Sequence, residues 1–107
     1  MEVKEFVCNV TDLPNGSMRT FSVKGRRIAL ANVDGEFFAV DDACTHEECS
    51  LGTDGVLDGN VILCGCHGGQ FDVTNGQVLA GPPPVNVRTY PLIIENDKIT
   101  VVIKVAV

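Results

Sequence analysis

Two short runs of cysteine and histidine stand near the middle of the chain: C-T-H-E-E-C at residues 44–49 and C-G-C-H-G-G-Q-F at residues 64–71. We name them the first and the second Cys/His run. The chain has 5 Cys and 2 His, and only Cys8 lies outside these runs. Thiolate sulfur and imidazole nitrogen are preferred ligands of zinc and of iron–sulfur centres. The clustering therefore indicates a metal site.

Each run offers one thiolate and one imidazole at short spacing, Cys44 with His46 and Cys64 with His67. A single zinc ion would accept this set of two Cys and two His. Zinc fingers, however, usually take a Cys pair from one knuckle and a His pair from a helix, whereas each run here mixes the two types. The mixture favours a site in which one metal takes both Cys, another takes both His, and the two loops face each other.

Length and charge limit the other possibilities. With 107 residues, 45% of them hydrophobic and 21% charged, the chain has the size and composition of one globular domain. Its net charge of −6 argues against nucleic-acid binding, which requires an excess of Lys and Arg. The negative charge suits docking on a basic partner, and it would equally serve solubility alone.

The sequence also predicts a compartment. No apolar run approaches the roughly 20 residues that span a bilayer, so we expect no membrane association. The N-terminus lacks a basic segment followed by an apolar one, as a secretory signal would have. We therefore expect a cytoplasmic protein, in which cysteines indicate metal or redox chemistry before a disulfide framework.

The rest of the chain alternates short β-rich segments with turns. Asn-Gly or Asp-Gly pairs at residues 15–16, 34–35, 54–55, 58–59 and 75–76 predict tight turns with positive φ. The pattern favours a small antiparallel sandwich or barrel, with at most one helical turn at 11–15. Segments rich in Val, Ile, Phe and Thr predict strands at 3–8, 19–24, 27–33, 36–40, 61–64, 70–73, 88–95 and 98–105.

Residues 41–84 differ in composition from the strands on either side. They are rich in Gly, Asp and Cys and carry most of the turns. We expect them to form a small subdomain inserted into a β base, the whole of residues 1–107 making one domain. The segment ends in Gly-Pro-Pro-Pro at 81–84, which is stiff because proline fixes φ. It is either a simple connector or a wall that covers the metal site.

The spacing of the two runs carries a family resemblance. C-x-H, followed after residues 47–63 by C-x-x-H-G, resembles the signature of Rieske proteins, whose [2Fe–2S] cluster has His₂ on one iron and Cys₂ on the other. Gly68 and Phe71 also match, as do the chain length, the β character and the proline segment. The resemblance implies an all-β Rieske fold, with an antiparallel β-sandwich base and a small cluster-binding subdomain.

The same resemblance implies the ligands and the function. It assigns one [2Fe–2S] cluster per chain, with Cys44 and Cys64 on the inner iron and His46 and His67 on the outer, solvent-facing iron. The chain would be a one-electron carrier and not an enzyme. It would pass electrons from a flavin-containing ferredoxin reductase to a terminal oxygenase, such as an aromatic-ring dioxygenase.

Three alternatives remain beside this interpretation. The first is a ferredoxin of a different redox chain, and the second is a zinc-stabilised interaction module without redox activity. The third is a Rieske-fold subunit that has lost its cluster, against which the complete ligand set argues.

Two further features of the runs follow from the resemblance. Cys49 and Cys66 match the pair that forms a disulfide between the loops of respiratory Rieske proteins, so we expect that disulfide here. The respiratory type also carries Ser and Tyr hydroxyls where this chain has Gly69 and Phe71. Because those hydroxyls donate hydrogen bonds to cluster sulfurs, their loss predicts a low potential for a Rieske centre.

Glycines and acidic residues around the runs allow two interpretations each. Gly65, Gly68 and Gly69 would let backbone N–H groups approach the cluster sulfides, or would merely serve tight turns. The acidic residues of the first loop would form a docking surface for a basic partner, or a solvated face. They are Asp41, Asp42, Glu47 and Glu48.

Overall fold

A computed structural model gives the structure of the chain, and it describes residues 1–43, 49–65, 69–80 and 86–104. These residues form short β-strands joined by tight turns, with a 3-10 turn at Val10–Asp12. In chain order the elements are β1 (Glu2–Asn9), β2 (Met18–Val23), β3 (Arg26–Val33), β4 (Glu36–Asp41), α1 (Leu51–Asp54), β5 (Val56–Asp58), β6 (Val61–Leu63), β7 (Gln70–Asp72), β8 (Val78–Ala80), β9 (Thr89–Tyr90), β10 (Leu92–Glu95) and β11 (Lys98–Lys104).

Within the described residues the strands make three antiparallel sheets, which confirms the predicted all-β fold. Their strand orders are β1-β11-β10, β2-β3-β4-β9 and β5-β6-β7-β8. The third sheet uses only residues 56–80, inside the segment 41–84 that the sequence assigns to a subdomain. The division of the single domain into a base and a cluster-binding subdomain stays a prediction.

Strand β3 is buried on both faces and separates two cores. Side chains alternate along a strand, so Ile28 and Leu30 point to one side while Ala29 and Ala31 point to the other. The larger residues pack in the base core against β1 and β11. The alanines face the loop-side core, where α1 and the third sheet lie. Small side chains on that face leave room for these neighbours.

The two cores contain most of the buried hydrophobic residues in the part of the chain that the structure describes. The base core consists of Cys8, Leu13, Val23, Ile28, Leu30, Ala39, Tyr90, Ile99, Val101 and Ile103. The loop-side core consists of Ala29, Ala31, Val40, Leu51, Ile62, Cys64, Phe71, Val73 and Val87.

Local turn chemistry explains the hairpins on which the sheets are built. Lys24-Gly25 and Asp34-Gly35 have positive φ at both positions, as two-residue turns between twisted strands require. Asn96-Asp97 does the same between β10 and β11. Four of the five predicted Asn-Gly and Asp-Gly turns contain a glycine of positive φ. The exception is Gly55, which has φ −89° and ends α1.

The predicted strand at 88–95 is wrong, because Pro91 divides it. Residues before the proline form β9 and pair with β4, whereas those after it form β10 and pair with β11. A proline has no N–H to donate to a ladder. Its carbonyl still accepts a hydrogen bond from the Val102 N–H, at 2.9 Å. The chain therefore changes sheets at Pro91.

Three short elements have no counterpart in the sequence prediction: α1, β5 and β8. Each is only three or four residues long, so no periodic pattern can develop. The helical turn expected at 11–15 is instead the 3-10 turn at Val10–Asp12. In the part of the chain that the structure describes, no helix is long and apolar enough to cross a bilayer.

The contribution of the loop-side core to stability can be tested by comparing a buried phenylalanine with an exposed one. Phe71 is fully buried, whereas Phe6 is 56% exposed. Because truncation of a buried aromatic side chain leaves a cavity, Phe71→Ala is expected to lower the free energy of unfolding by about 3–5 kcal/mol. Phe6→Ala should lower it by less than about 1 kcal/mol. Urea unfolding of the oxidised protein measures both, and equal losses would contradict the packing described above.

Candidate metal centre

The second Cys/His run begins at a buried strand end. Cys64 follows β6, is 3% exposed and is a free cysteine. The β6–β7 hairpin pairs Leu63 with Gln70, and the Cys64 N–H donates to the Gly69 carbonyl at 2.7 Å. Backbone hydrogen bonds therefore join β6 to β7 directly beside Cys64.

Backbone pairing also flanks the first run. Ala43 and Ser50 form an isolated antiparallel bridge at its two ends. The predicted ligands Cys44 and His46 lie between them and outside the described residues, as does His67 in the second run. Of the four predicted ligands the structure thus places Cys64. The other three assignments stay predictions.

Close backbone contacts bring the bases of the two loops together. A Cβ atom added at Gly65 would meet the Asp54 carbonyl oxygen at 1.9 Å. A Cβ atom at Gly55 would lie 2.8 Å from the Leu63 carbonyl oxygen. The segment that leaves the first loop therefore runs beside the start of the second, and both glycines are needed for space.

This geometry gives Gly65 a role different from the two that the sequence suggested. Its missing side chain makes room for the Asp54 carbonyl, so it serves the approach of one loop to the other. Gly69 is buried at the end of the second loop, where its carbonyl closes the turn. Gly68 lies outside the described residues.

The surroundings of Cys64 fit a metal–sulfur centre. Its thiol belongs to the loop-side core, beside apolar side chains such as Leu51 and Phe71. A dry, apolar wall on one side is what a cluster ligand needs, because burial controls solvent access and potential. Within the described residues no group of three or more His, Cys, Asp and Glu side chains converges on one point. Three of the four predicted ligands fall outside those residues.

Asp42 is buried, so both interpretations offered for this residue, a docking surface and a solvated face, are wrong. Its side chain is 1% exposed. Oδ1 accepts hydrogen bonds from the Thr20 hydroxyl and the Gly52 N–H, both at 2.8 Å. Oδ2 lies 3.1 Å from Nη2 of Arg27 in an ion pair. The backbone carbonyl of Asp42 accepts from the Leu51 N–H at 2.7 Å. Asp42 therefore ties α1 to β2 and β3 at the end of the first run.

Thr20, Ser50 and Thr53 complete this hydrogen-bonded network, and the sequence reasoning missed all three. The Thr20 hydroxyl lies 3.1 Å from that of Ser50 and 2.9 Å from that of Thr53. Ser50 is also the N-cap of α1, since its hydroxyl accepts from the Thr53 N–H at 3.1 Å. Serine is a favoured residue for this position, so the start of α1 could have been found. The role of Thr20 could not, because β2 is remote in sequence.

Asp41 contacts the base core instead. The Tyr90 hydroxyl donates to Oδ1 of Asp41 in a short hydrogen bond. The Asp41 N–H donates to the Arg88 carbonyl at 2.8 Å. Burial raises the pKa of Tyr90, and the bond to Asp41 raises that pKa further. The strand that enters the first loop is thus held on both sides.

Cys49 lies at the end of the first run and packs half-buried against the loop-side core. It belongs to a disulfide in the structure. Cys66, its predicted partner, lies outside the described residues. The Cys49–Cys66 pairing therefore stays a prediction. The remaining cysteine, Cys8, is buried in the base core, as expected of a small packing residue.

Comparison with known proteins agrees with this geometry. The family described as the Rieske [2Fe-2S] domain matches residues 4–91. The biphenyl dioxygenase ferredoxin subunit of Pseudomonas sp. (strain KKS102) is 43% identical over 94 residues, which cover 88% of this chain and 86% of the relative. The ferredoxin component of a naphthalene 1,2-dioxygenase system of Pseudomonas putida is 38% identical over 92 residues, 86% of this chain and 88% of the relative.

Solved structures are similar over nearly the whole chain. A ferredoxin of Sphingomonas yanoikuyae B1 superposes with a TM-score of 0.86 at 37% identity, covering 92% of this chain and 97% of that one. A chain from a complex of reduced oxygenase and oxidized ferredoxin in carbazole 1,9a-dioxygenase superposes with a TM-score of 0.88 at 32% identity. It covers 92% of both chains.

Removal of one hydroxyl tests whether the network holds the first loop. Thr20→Val keeps the shape of the side chain but takes a hydrogen bond from the buried Asp42 carboxylate, so it should cost about 1–3 kcal/mol of stability. It should also speed hydrogen exchange at the Gly52 and Thr53 amides. Thr100→Val on β11 is the matched control, since the Thr100 hydroxyl has no hydrogen bond among the described residues. Equal effects of the two substitutions would show that the network does not matter.

The raised pKa of Tyr90 predicts a dependence of stability on alkaline pH. The fold favours the protonated phenol, so its stabilisation is fully present below the ordinary pKa of about 10 and is lost as pH rises through the folded pKa. Tyr90 is the only Tyr, and the chain has no Trp. Phenolate absorbance therefore reports this residue alone. We expect it to appear at higher pH in the native protein than in urea, and appearance at the same or lower pH would contradict the prediction.

Proposed function

The chain belongs to the Rieske [2Fe-2S] domain family, and from this membership we propose that it carries single electrons from a flavin-containing ferredoxin reductase to a terminal oxygenase. The observation that carries the proposal is the 43% identity to a biphenyl dioxygenase ferredoxin subunit over 88% of the chain. The relatives are ferredoxin components of dioxygenase systems. The chain is accordingly an electron-transfer component with one [2Fe–2S] cluster, and not the catalytic enzyme.

Four residues would hold the cluster in this proposal. They are Cys44 and Cys64 on one iron, and His46 and His67 on the other. When bound, the cluster accepts and releases one electron, at a higher potential than an all-cysteine cluster because neutral imidazole replaces thiolate. Cys64 supplies its thiol from a buried, apolar position at the end of β6. Backbone pairing of Ala43 with Ser50 and of Cys64 with Gly69 supports this proposal, because it secures the chain on both sides of the two runs.

We propose a low potential for this Rieske centre. Phe71 is fully buried in the loop-side core and has no hydroxyl that could donate to a sulfur atom. Gly69 likewise offers only backbone groups. Loss of hydrogen bonds to cluster sulfurs lowers the potential. A carrier with a low reduction potential gives up its electron readily, as donation to an oxygenase requires.

The pairing with a terminal oxygenase has support from a related protein. One similar ferredoxin was solved in complex with the oxygenase of carbazole 1,9a-dioxygenase. The net charge of −6 would steer this chain toward a basic surface on its partner. The flavin-containing reductase and a cytoplasmic location belong to the same proposal, and both rest on the expectations drawn from the sequence.

Reconstitution of electron transfer tests the proposal. The protein is expected to contain iron and sulfide in equal amounts, to show the EPR signal of a His-ligated [2Fe–2S] cluster after reduction, and to couple a flavin reductase to a biphenyl-type terminal oxygenase. Cys64→Ala should lose the cluster and all coupling. Cys8→Ala is the matched control and should retain both, because Cys8 lies in the base core. Redox titration of the same samples measures the potential.

The outcomes separate the alternatives. A stable cluster that passes electrons to no oxygenase would point to a different redox chain. Bound zinc without iron or an EPR signal would indicate a structural interaction module. A reduction potential as high as that of respiratory Rieske proteins, whose Ser and Tyr hydroxyls donate hydrogen bonds to the cluster, would contradict the role assigned to Gly69 and Phe71.

A further inference from the structure

A pocket on the base of the molecule gathers positive charge in an acidic protein. It is open, has a volume of about 410 Å³, and is lined by Arg26, Arg88 and Lys104. The chain has 8 Lys and Arg against 14 Asp and Glu. Three of these eight cations therefore line one cavity, and the acidic side chain among its lining residues is Glu2.

The strand order explains why these three residues meet. Arg26 begins β3, Lys104 ends β11, and Arg88 directly precedes β9. Nη2 of Arg26 donates to the Lys104 carbonyl at 3.3 Å, across the seam between two sheets. The Arg88 carbonyl accepts from the last residue of β4. Two of the three cations thus belong to paired strands, and the third is tied to β4 through its carbonyl.

The three cations of the pocket have no ion-pair partner among the described residues. The Tyr90 hydroxyl donates its hydrogen bond to Asp41, and Arg26 lines the same pocket, where its positive charge opposes the rise in the pKa of this phenol. Elsewhere, Lys24 pairs with Glu5 and Arg27 with Asp42. Among the described residues no carboxylate lies within ion-pair distance of Arg26, Arg88 or Lys104. Three cations line this pocket against one acidic residue, Glu2, which lies opposite Lys104 in the β1–β11 ladder. The excess of positive charge favours an anionic ligand.

We propose that this pocket binds a phosphate dianion, either free or as the terminal group of a small phosphate ester. Planar guanidinium groups present N–H donors in pairs that match the oxygens of such anions, and the Lys104 ammonium adds a point charge. Neither the cluster nor electron transfer is required for this binding. The proposal therefore stands or falls independently of the proposed function.

The test uses the oxidised protein with its cluster, in chloride buffer of constant ionic strength. Inorganic phosphate and glycerol 3-phosphate are titrated in separate arms and followed by amide chemical shifts. We expect saturable shifts at Thr89 and Val102, which line the pocket. Saturation in both arms supports an ester as well as the free ion, and saturation with inorganic phosphate alone restricts the site to the free ion.

Two lysines of the same strand provide a matched comparison. Lys104→Gln should weaken phosphate binding about fivefold or more, because it removes a cation from the pocket. Lys98→Gln removes the same charge at the opposite end of β11 and should change the affinity less than twofold. Both side chains are exposed, so both variants should fold, which unchanged iron content and circular dichroism verify.

Three results would overturn the proposal. The first is the absence of saturable shifts at the pocket in both arms. The second is an equal loss of affinity in the two lysine variants, which would indicate general charge attraction. The third is the same shifts with chloride alone, which would indicate screening without a specific site.

Discussion

The buried carboxylate of Asp42 is the contact on which the arrangement of the first loop depends. A charged group in the interior costs several kcal/mol unless it is paired and hydrogen-bonded. Here Thr20, Gly52 and Arg27 all contribute to its satisfaction. Each partner belongs to a different part of the chain, so the carboxylate is stable only when β2, β3 and α1 are in place together. Folding of the base and closure of the first loop are therefore coupled.

The central sheet gives this coupling its geometry. Because β3 is buried on both faces, its side chains must be divided between two cores. The small side chains of Ala29 and Ala31 leave space on the loop-side face of β3. The larger side chains of Leu51 and Phe71 fill this space. Cys49 and the predicted ligand Cys64 consequently pack on this core. A packed position limits the movement of such a side chain, as a one-electron carrier requires of its ligands.

Features that depend on residues close together in the sequence could be predicted from it. Features that depend on contacts between distant segments could not. The β3–β4 hairpin could be predicted because Asp34-Gly35 is a sequence that favours a two-residue turn. The spacing of the Cys/His runs is likewise visible within a short stretch of sequence. By contrast, β5 and β8 are too short for a periodic signal, and for α1 the Ser50 cap marks only the start. The burial of Asp42 was missed because its partner Thr20 lies on a distant strand. A charged residue next to a predicted site is easily taken for a surface feature, although partners elsewhere in the chain can bury it.

Neighbouring residues at the end of β4 serve opposite faces of the molecule. Alternation along the strand sends Asp41 toward Tyr90 in the base, and Asp42 toward Thr20 and the first loop. The start of β3 has the same arrangement, since Arg26 faces Tyr90 while Arg27 pairs with Asp42. Two adjacent cations thus oppose two adjacent carboxylates, one pair on each face. On the loop side the Asp42 carboxylate is buried, its Oδ1 accepts two hydrogen bonds and its Oδ2 pairs with the exposed Arg27, which ties α1 to β2 and β3. On the base side the Tyr90 hydroxyl binds Asp41, and Arg26, which donates to the Lys104 carbonyl, lines the pocket without a carboxylate partner among the described residues.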